Sequence, residues 1–211
     1  METLTSTGII DRRNTMYPSI LEYVTDNTIE THPYSTSYGF VLTGTAVYNG
    51  VTVSSQKWFS IANETPTQVT VSGKTVIITR LGFIGQNTMG GPLEKTGRLT
   101  YIDGCSDSLL VYPPRLGDAS LNALYFPESI DQTFHIHPSI RMGIIAKGSG
   151  ICDLKGRAIP LTEGTAFCLD SMELHRFKTV DSKMVVIAYH PDGDWGPTDH
   201  NHIMINRTYM E

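Results

Sequence analysis

Six of the seven histidines in this 211-residue chain fall between positions 135 and 202, so histidine chemistry is weighed first. The stretch Gln132–Ile151 reads QTFHIHPSIRMGIIAKGSGI, with His135 and His137 one residue apart in an apolar run. In a strand, residues i and i+2 point to the same face. The two imidazoles are therefore expected side by side, with Phe134 and Ile136 facing away. The run turns at Pro138-Ser139, continues through Arg141–Ala146 and breaks at Gly148-Ser-Gly150. His175 follows in Thr165–Phe177, where a second strand pair is expected. Two histidines on one strand and a third from a later strand form a metal-ligand set. A lone histidine in an apolar run is usually only a hydrogen-bonded core residue, but this triple spacing is more specific. Three protein ligands with open positions describe a catalytic site, and imidazole suits iron, zinc, copper or nickel.

The elements that must position these residues read as strands. From Tyr38 onwards, short β runs (YGFVLT, TAVYNG, QKWFSIA, TQVTVSG, KTVIITRLGF) are separated by turn residues, and Asn49-Gly50 is a hairpin turn signal. Residues 85–97, rich in Gly and polar residues, read as a linker. Strands resume at Arg98–Asp103, Asp107–Tyr112, Leu121–Phe126 and Lys183–His190. The one short helix allowed is Ser19–Val24, after Pro18. The tail 191–211 is polar and turn-rich.

The pattern repeats. His32-Pro33 followed by YGFVLTGTA matches His137-Pro138 followed by MGIIAKGSG, and KTVIITR matches KMVVIAY, at offsets of 104 to 109 residues. Two β units are expected, residues 1–97 with a lead-in and residues 98–211, and the first keeps only His32. The chemistry belongs to the second.

Composition removes several function classes. Charged residues are 18% and the net charge is −5, with 16 scattered Lys and Arg. Neither a phosphate backbone nor an anionic membrane is an expected partner. No apolar run reaches membrane-spanning length and the N-terminus shows no signal-peptide core, so a cytoplasmic protein is expected. Cys105, Cys152 and Cys168 are odd in number and lack CxxC spacing, which points to reduced buried thiols, with Cys168 near enough to His175 to line a site. Asn63-Glu-Thr and Asn206-Arg-Thr match the glycosylation pattern by chance on this reading.

His135-x-His137 with Gly148 beyond it, then Pro160-Leu-Thr-Glu-Gly164 with His175 after it, resemble the two motifs of the cupin superfamily. The likeness covers about residues 120–190 well and 32–83 weakly, so the chain is similar to a two-cupin protein whose first cupin is degenerate. It implies an all-β fold of double-stranded β-helix (jelly-roll) type, two cupin-like units in tandem, with the site in the barrel mouth. Where the family places a Glu ligand this chain has Arg141 or Met142, and a guanidinium cannot ligate. The resemblance then implies a three-histidine site like that of cupin dioxygenases holding Fe(II), with Zn, Mn, Ni or Cu as alternatives, and an anionic small-molecule substrate. Arg141 either pairs with a substrate carboxylate or phosphate or makes a structural ion pair.

Other residues carry two readings each. Gln132 either hydrogen-bonds a ligand imidazole or a bound water or is a turn residue, and Tyr125, on the same strand as Asn122, lines the cavity or packs. Arg115 is a ligand-binding or a solvated loop cation. The tail His190–His202 is a lid with His190 near the metal and an acid or histidine as proton shuttle, a further ligand donor, or a plain polar strap. The leading expectation is a mononuclear non-haem iron dioxygenase. The alternatives are an isomerase, lyase or sugar-modifying cupin and a non-catalytic binding cupin. A regulator is not expected without a helix-turn-helix segment, and open sheet edges allow a homodimer.

Overall fold

In a computed structural model covering Met1–Glu211, all residues but Asn206 are described. Near-continuous apolar runs drive the architecture, because successive side chains of a strand point to opposite faces and such runs bury both. One sheet runs in the order Gly8–Arg12, Ser19–Thr25, Gln68–Leu81, Ser35–Tyr48, Trp58–Asn63, Thr88–Gly90. The other runs Glu2–Leu4, Ala166–Leu169, Arg141–Asp153, Met184–His190, Ser120–Phe126, Ser106–Val111, Leu99–Thr100, with Ala158–Thr162 and Arg176–Lys178 pairing the far half of Arg141–Asp153. All pairings are antiparallel. Among the described residues, the helical segments are two three-residue 3-10 turns, Ile102–Gly104 and Asp199–Asn201, and no helix is long and apolar enough to cross a membrane.

Three apolar clusters follow from this layering. Val41, Tyr48, Phe59, Ile61 and Ile77 fill the first unit. Phe126, Ile145, Phe167, Leu169, Phe177 and Val186 fill the second. Between the units lies a third and larger cluster, joining Leu21, Tyr38, Phe40 and Ile78 of the first to Leu121, Tyr125, Met142, Ile144, Ile187 and Tyr189 of the second. Tyr38 and Tyr189 meet across it with ring centroids 5.4 Å apart. Strand parity decides the destination of each side chain. On Met184–His190 the even residues Met184, Val186 and Ala188 enter the second unit's interior, while Ile187 and Tyr189 enter the shared core.

The two long strands bend alike. The long strands Ser35–Tyr48 and Arg141–Asp153 both shift register midway, between Val41 and Thr43 and between Ile145 and Lys147. Just beyond, Gly44 (φ 76°) and Gly148 (φ 72°) allow each strand to bend. A Cβ at either would sit 1.8 Å from a carbonyl oxygen of the facing strand.

Four expectations change. Ser19–Thr25 is a strand rather than a helix, because pairing with Lys74–Arg80 along its whole length outweighs the local signal of Pro18. The linker 85–97 contributes the short strand Thr88–Gly90. Arg98–Asp103 is strand only at Leu99–Thr100 before its 3-10 turn. Glu2–Leu4 leaves the first unit and pairs with Ala166–Leu169 of the second.

Candidate metal centre

The histidines are not on a regular strand. Pro138 lacks a donor, and residues 132–140 form an irregular extended segment joined to the barrel by single bridges, Asp131 to Lys178 and His135 to His175. The sequence periodicity nevertheless holds: Ile136 is exposed, and Phe134 turns outward to stack under the Arg176 guanidinium, 4.3 Å from ring centroid to Cζ. One nitrogen each of His135, His137 and His175 lies within 4.8 Å of the others. Ring centroids are 4.5 Å apart for His135 and His175, 5.1 Å for His135 and His137, and 5.2 Å for His137 and His175.

Two hydrogen bonds fix the tautomers. Nδ1 of His135 lies 2.8 Å from the Thr133 carbonyl oxygen, and Nδ1 of His175 lies 2.7 Å from that of Glu173. A carbonyl only accepts, so each Nδ1 carries a hydrogen and Nε2 is the nitrogen left to ligate. Burial, then Arg141 and the neighbouring rings, push the His137 pKa down to about 3. Burial is also the main cause that lowers His175. The donor set, three imidazoles each offering a ring nitrogen within 4.8 Å of the others, fits a divalent transition metal.

The trio opens into a cavity of about 260 Å³ with largely apolar walls, among them Leu124, Phe126, Phe167, Phe177 and Val186. Arg141 and His190 line it, as the parity of their strands requires. Nη1 of Arg141 donates to Ser139 Oγ at 2.6 Å and to the Ile140 carbonyl at 2.9 Å, and Asp192 Oδ1 lies 3.8 Å away. Ser139 Oγ in turn bonds the Asp192 carboxylate. Arg141 thus lines the cavity and has Asp192 as an acidic neighbour. Burial, then Arg141 and His137, lower the His190 pKa well below the ordinary histidine value, so its ring is neutral.

Tyr125 is a correction. Its strand parity matches Leu121 and Ala123, which turn into the core between the units, and it does not line the histidine cavity. Asn122, one step out of phase with Tyr125, does. Gln132 lines the cavity but spends its polar atoms elsewhere: its amide nitrogen is 3.7 Å from Cys105 Sγ and its Oε1 accepts from Phe177 N at 3.2 Å. Arg115 is a loop cation that donates to Asp118 and to the Ile84 carbonyl, away from the cavity. Cys168 packs in the core between the units. In the tail, Asp192, Gly193 and Trp195 border a shallower recess adjoining the cavity, whereas His200 and His202 are exposed and outside the histidine cluster. Asn63 is buried and hydrogen-bonded, which closes it to glycosylation; Asn206 lies outside the described residues.

Two cavity residues had no signal in spacing, Tyr101 and Asp107. The alternation Asn122-Leu124-Phe126 marks the cavity face of one strand. Asp107 sits on its antiparallel neighbour, where register is needed to place it.

The first unit has a comparable backbone contact without histidines: Thr31 N donates to the Thr67 carbonyl at 2.9 Å. Thr31, Asn63, Ser35, Ser37 and Thr79 form a buried hydrogen-bonded network there.

Residues 123–195 match the family model described as the AraC-like ligand binding domain. No curated protein matches the sequence. Among solved structures, a cupin 2 conserved barrel domain protein from Leptotrichia buccalis superposes with a TM-score of 0.61 at 13% identity, covering 89% of this chain and 88% of the other. A putative glyoxylate-induced protein from Pseudomonas aeruginosa gives 0.64 at 11%, covering 91% and 82%. A variant of the salicylate 1,2-dioxygenase of Pseudoaminobacter salicylatoxidans, in complex with gentisate, gives 0.60 at 10%, covering 81% and 68%. With its paired β units and these neighbours, the chain has the fold of the cupin superfamily.

Proposed function

We propose that the chain is a mononuclear metal-dependent cupin enzyme, a non-haem iron dioxygenase that acts on a small anionic substrate in the cytoplasm. The observation that carries this reading is the convergence of three imidazoles on a largely apolar cavity that also holds Arg141. Iron bound there supplies redox chemistry and open coordination positions. The chain's own residues do the rest. Thr133 and Glu173 hold His135 and His175 in the ligating tautomer through their carbonyls. Arg141 attracts and orients the substrate anion; its Nε has no hydrogen-bond partner among the described residues, and its protein bonds run from Nη1. His190 offers a neutral imidazole inside the cavity as a hydrogen-bonding group for the substrate. Phe126, Phe167 and Phe177 exclude water from the reacting atoms.

The test is metal analysis of protein purified without chelator or His-tag, followed by turnover with and without oxygen. About one equivalent of iron per chain, lost in His135→Ala, with oxygen-dependent consumption of substrate, is the expected result. Protein that holds no transition metal after reconstitution overturns the proposal. A second reading, favoured by the match to a ligand-binding family over residues 123–195, is a binding cupin that senses the same small molecule without turning it over. It predicts metal and ligand binding with no consumption under either atmosphere.

A further inference from the structure

Asp107 is only 9% exposed, yet it borders both the histidine cavity and the recess beneath Trp195. An ionised carboxylate has about four acceptor sites. This one has a single side-chain donor, the Asn122 amide nitrogen, shared between Oδ1 at 3.1 Å and Oδ2 at 2.9 Å. Among the described residues no Lys, Arg or His lies within 4.0 Å of it, whereas every other ion pair near the cavity is matched, Arg141 with Asp192 and Arg176 with Asp131 and Asp153. A buried charge left this poorly partnered is costly, and such groups cluster where a ligand completes them. Burial is the main cause that raises its pKa. The group is also held in place. Ser120 Oγ donates to the Asn122 oxygen at 3.4 Å, which turns the amide nitrogen toward Asp107.

Arg141 borders the histidine cavity but not the recess, while Asp107 and Asn122 border both, so the cation and the carboxylate occupy different parts of the lining. Apolar side chains share the cavity lining with them: Leu99, Leu124, Phe126, Phe167 and Val186. We propose that Asp107, fixed by Asn122, is the second polar anchor of the site, and that the substrate is a compact acid with an apolar body and a hydroxyl or ammonium donor at the end remote from the acid. This rests on the reading of the cavity as a site for a small anion, and it adds the donor, the apolar body and their order. Arg141 takes the acid in the histidine cavity, and Asp107 accepts the donor where the cavity adjoins the recess.

The test uses isothermal titration of the full-length, metal-loaded protein with two series of probes. One is phenylacetate with its para-hydroxy and para-aminomethyl derivatives; the other is hexanoate with its terminal hydroxy and amino derivatives. In at least one series a donor-bearing derivative should bind about ten- to a hundredfold tighter than its parent acid, the range expected for a hydrogen bond to a charged group. The hydroxy and amino arms show which donor is preferred. That preference should collapse in Asp107→Asn and in Asp107→Ser, and shrink in Asn122→Ala. Parent acids that bind without any preference for a donor, or a preference that survives both Asp107 variants, overturn the inference and leave the anion site standing. If no acid of either series binds the metal-loaded protein, the inference and the anionic-substrate reading fall together.

Discussion

His135 and His175 face each other across one antiparallel bridge, His135 N donating to His175 O at 2.9 Å and His175 N to His135 O at 3.0 Å. Residues directly opposite in such a pair carry their side chains on one face, so the bridge alone sets the two rings 4.5 Å apart. Backbone makes the bridge and survives loss of either ring. His135→Ala and His175→Ala should therefore both fold and both lose metal, by more than the roughly 10–100-fold that removal of a supporting partner costs. They should differ in stability. His175 is 1% exposed and packs on Phe177 at 5.9 Å between centroids, whereas His135 is only half-buried. Chelator competition and thermal denaturation of the two metal-free variants check this: equal loss of metal, with the lower melting temperature in His175→Ala.

The parts of the fold legible in the sequence are those set by local alternation. Met184–His190 shows both faces of a buried strand, Asn49 and Gly50 adopt the positive φ values of 48° and 75° that a hairpin turn needs, and the glycines of the repeat mark real bends. The histidine trio was legible for the same reason, although Pro138 keeps its segment out of the sheet. What stayed hidden depends on pairing between distant strands. Ser19–Thr25 becomes a strand only beside Lys74–Arg80, and Asp107 reaches the cavity only through its register with Leu124. Of the two readings for Tyr125 packing holds, because one residue of phase sends its side chain to the face opposite Asn122 and Leu124.

Arg141 is restrained by a short relay through Ser139 to Asp192, and that acid competes with any anion for the guanidinium. Asp192 stands at 3.8 Å and is itself 20% exposed, so its pull is modest. Arg141→Met should weaken binding of anionic ligands at least tenfold with metal content unchanged. Asp192→Asn should tighten it by about two- to fivefold, the scale of a partly exposed ion pair. Calorimetric titration of the metal-loaded variants with a small carboxylate measures both; unchanged affinity in Arg141→Met would remove Arg141 from the site.

Acid should unfold the metal-free protein through its cavity. Burial holds His137 at about 3 and lowers His175 from the ordinary 6.5, so below pH 6.5 the unfolded chain binds more protons than the folded one. Stability from these groups is complete above pH 6.5 and is lost as pH falls towards the folded values, each histidine adding a slope of up to about 1.4 kcal/mol per pH unit. Urea titrations of metal-free protein at a series of pH values should give a plateau near neutrality and a decline below 6.5. His137→Gln should have a shallower decline. With metal bound, proton competition at His137 and His175 is weak, and the metal should stay on at pH values where an exposed histidine would release it.

Tyr125 offers a test in the opposite direction. Its Oη is buried and without a hydrogen-bond partner among the described residues, on the strand face that enters the core between the two units. Such a hydroxyl costs desolvation and returns little, so Tyr125→Phe should leave stability unchanged or raise it by about 1 kcal/mol. Metal stoichiometry and turnover should match the parent protein, because the cavity face of that strand belongs to Asn122, Leu124 and Phe126. A fall in turnover with intact metal content would mean that the tyrosine acts on the substrate after all, and that the strand presents its other face to the reaction.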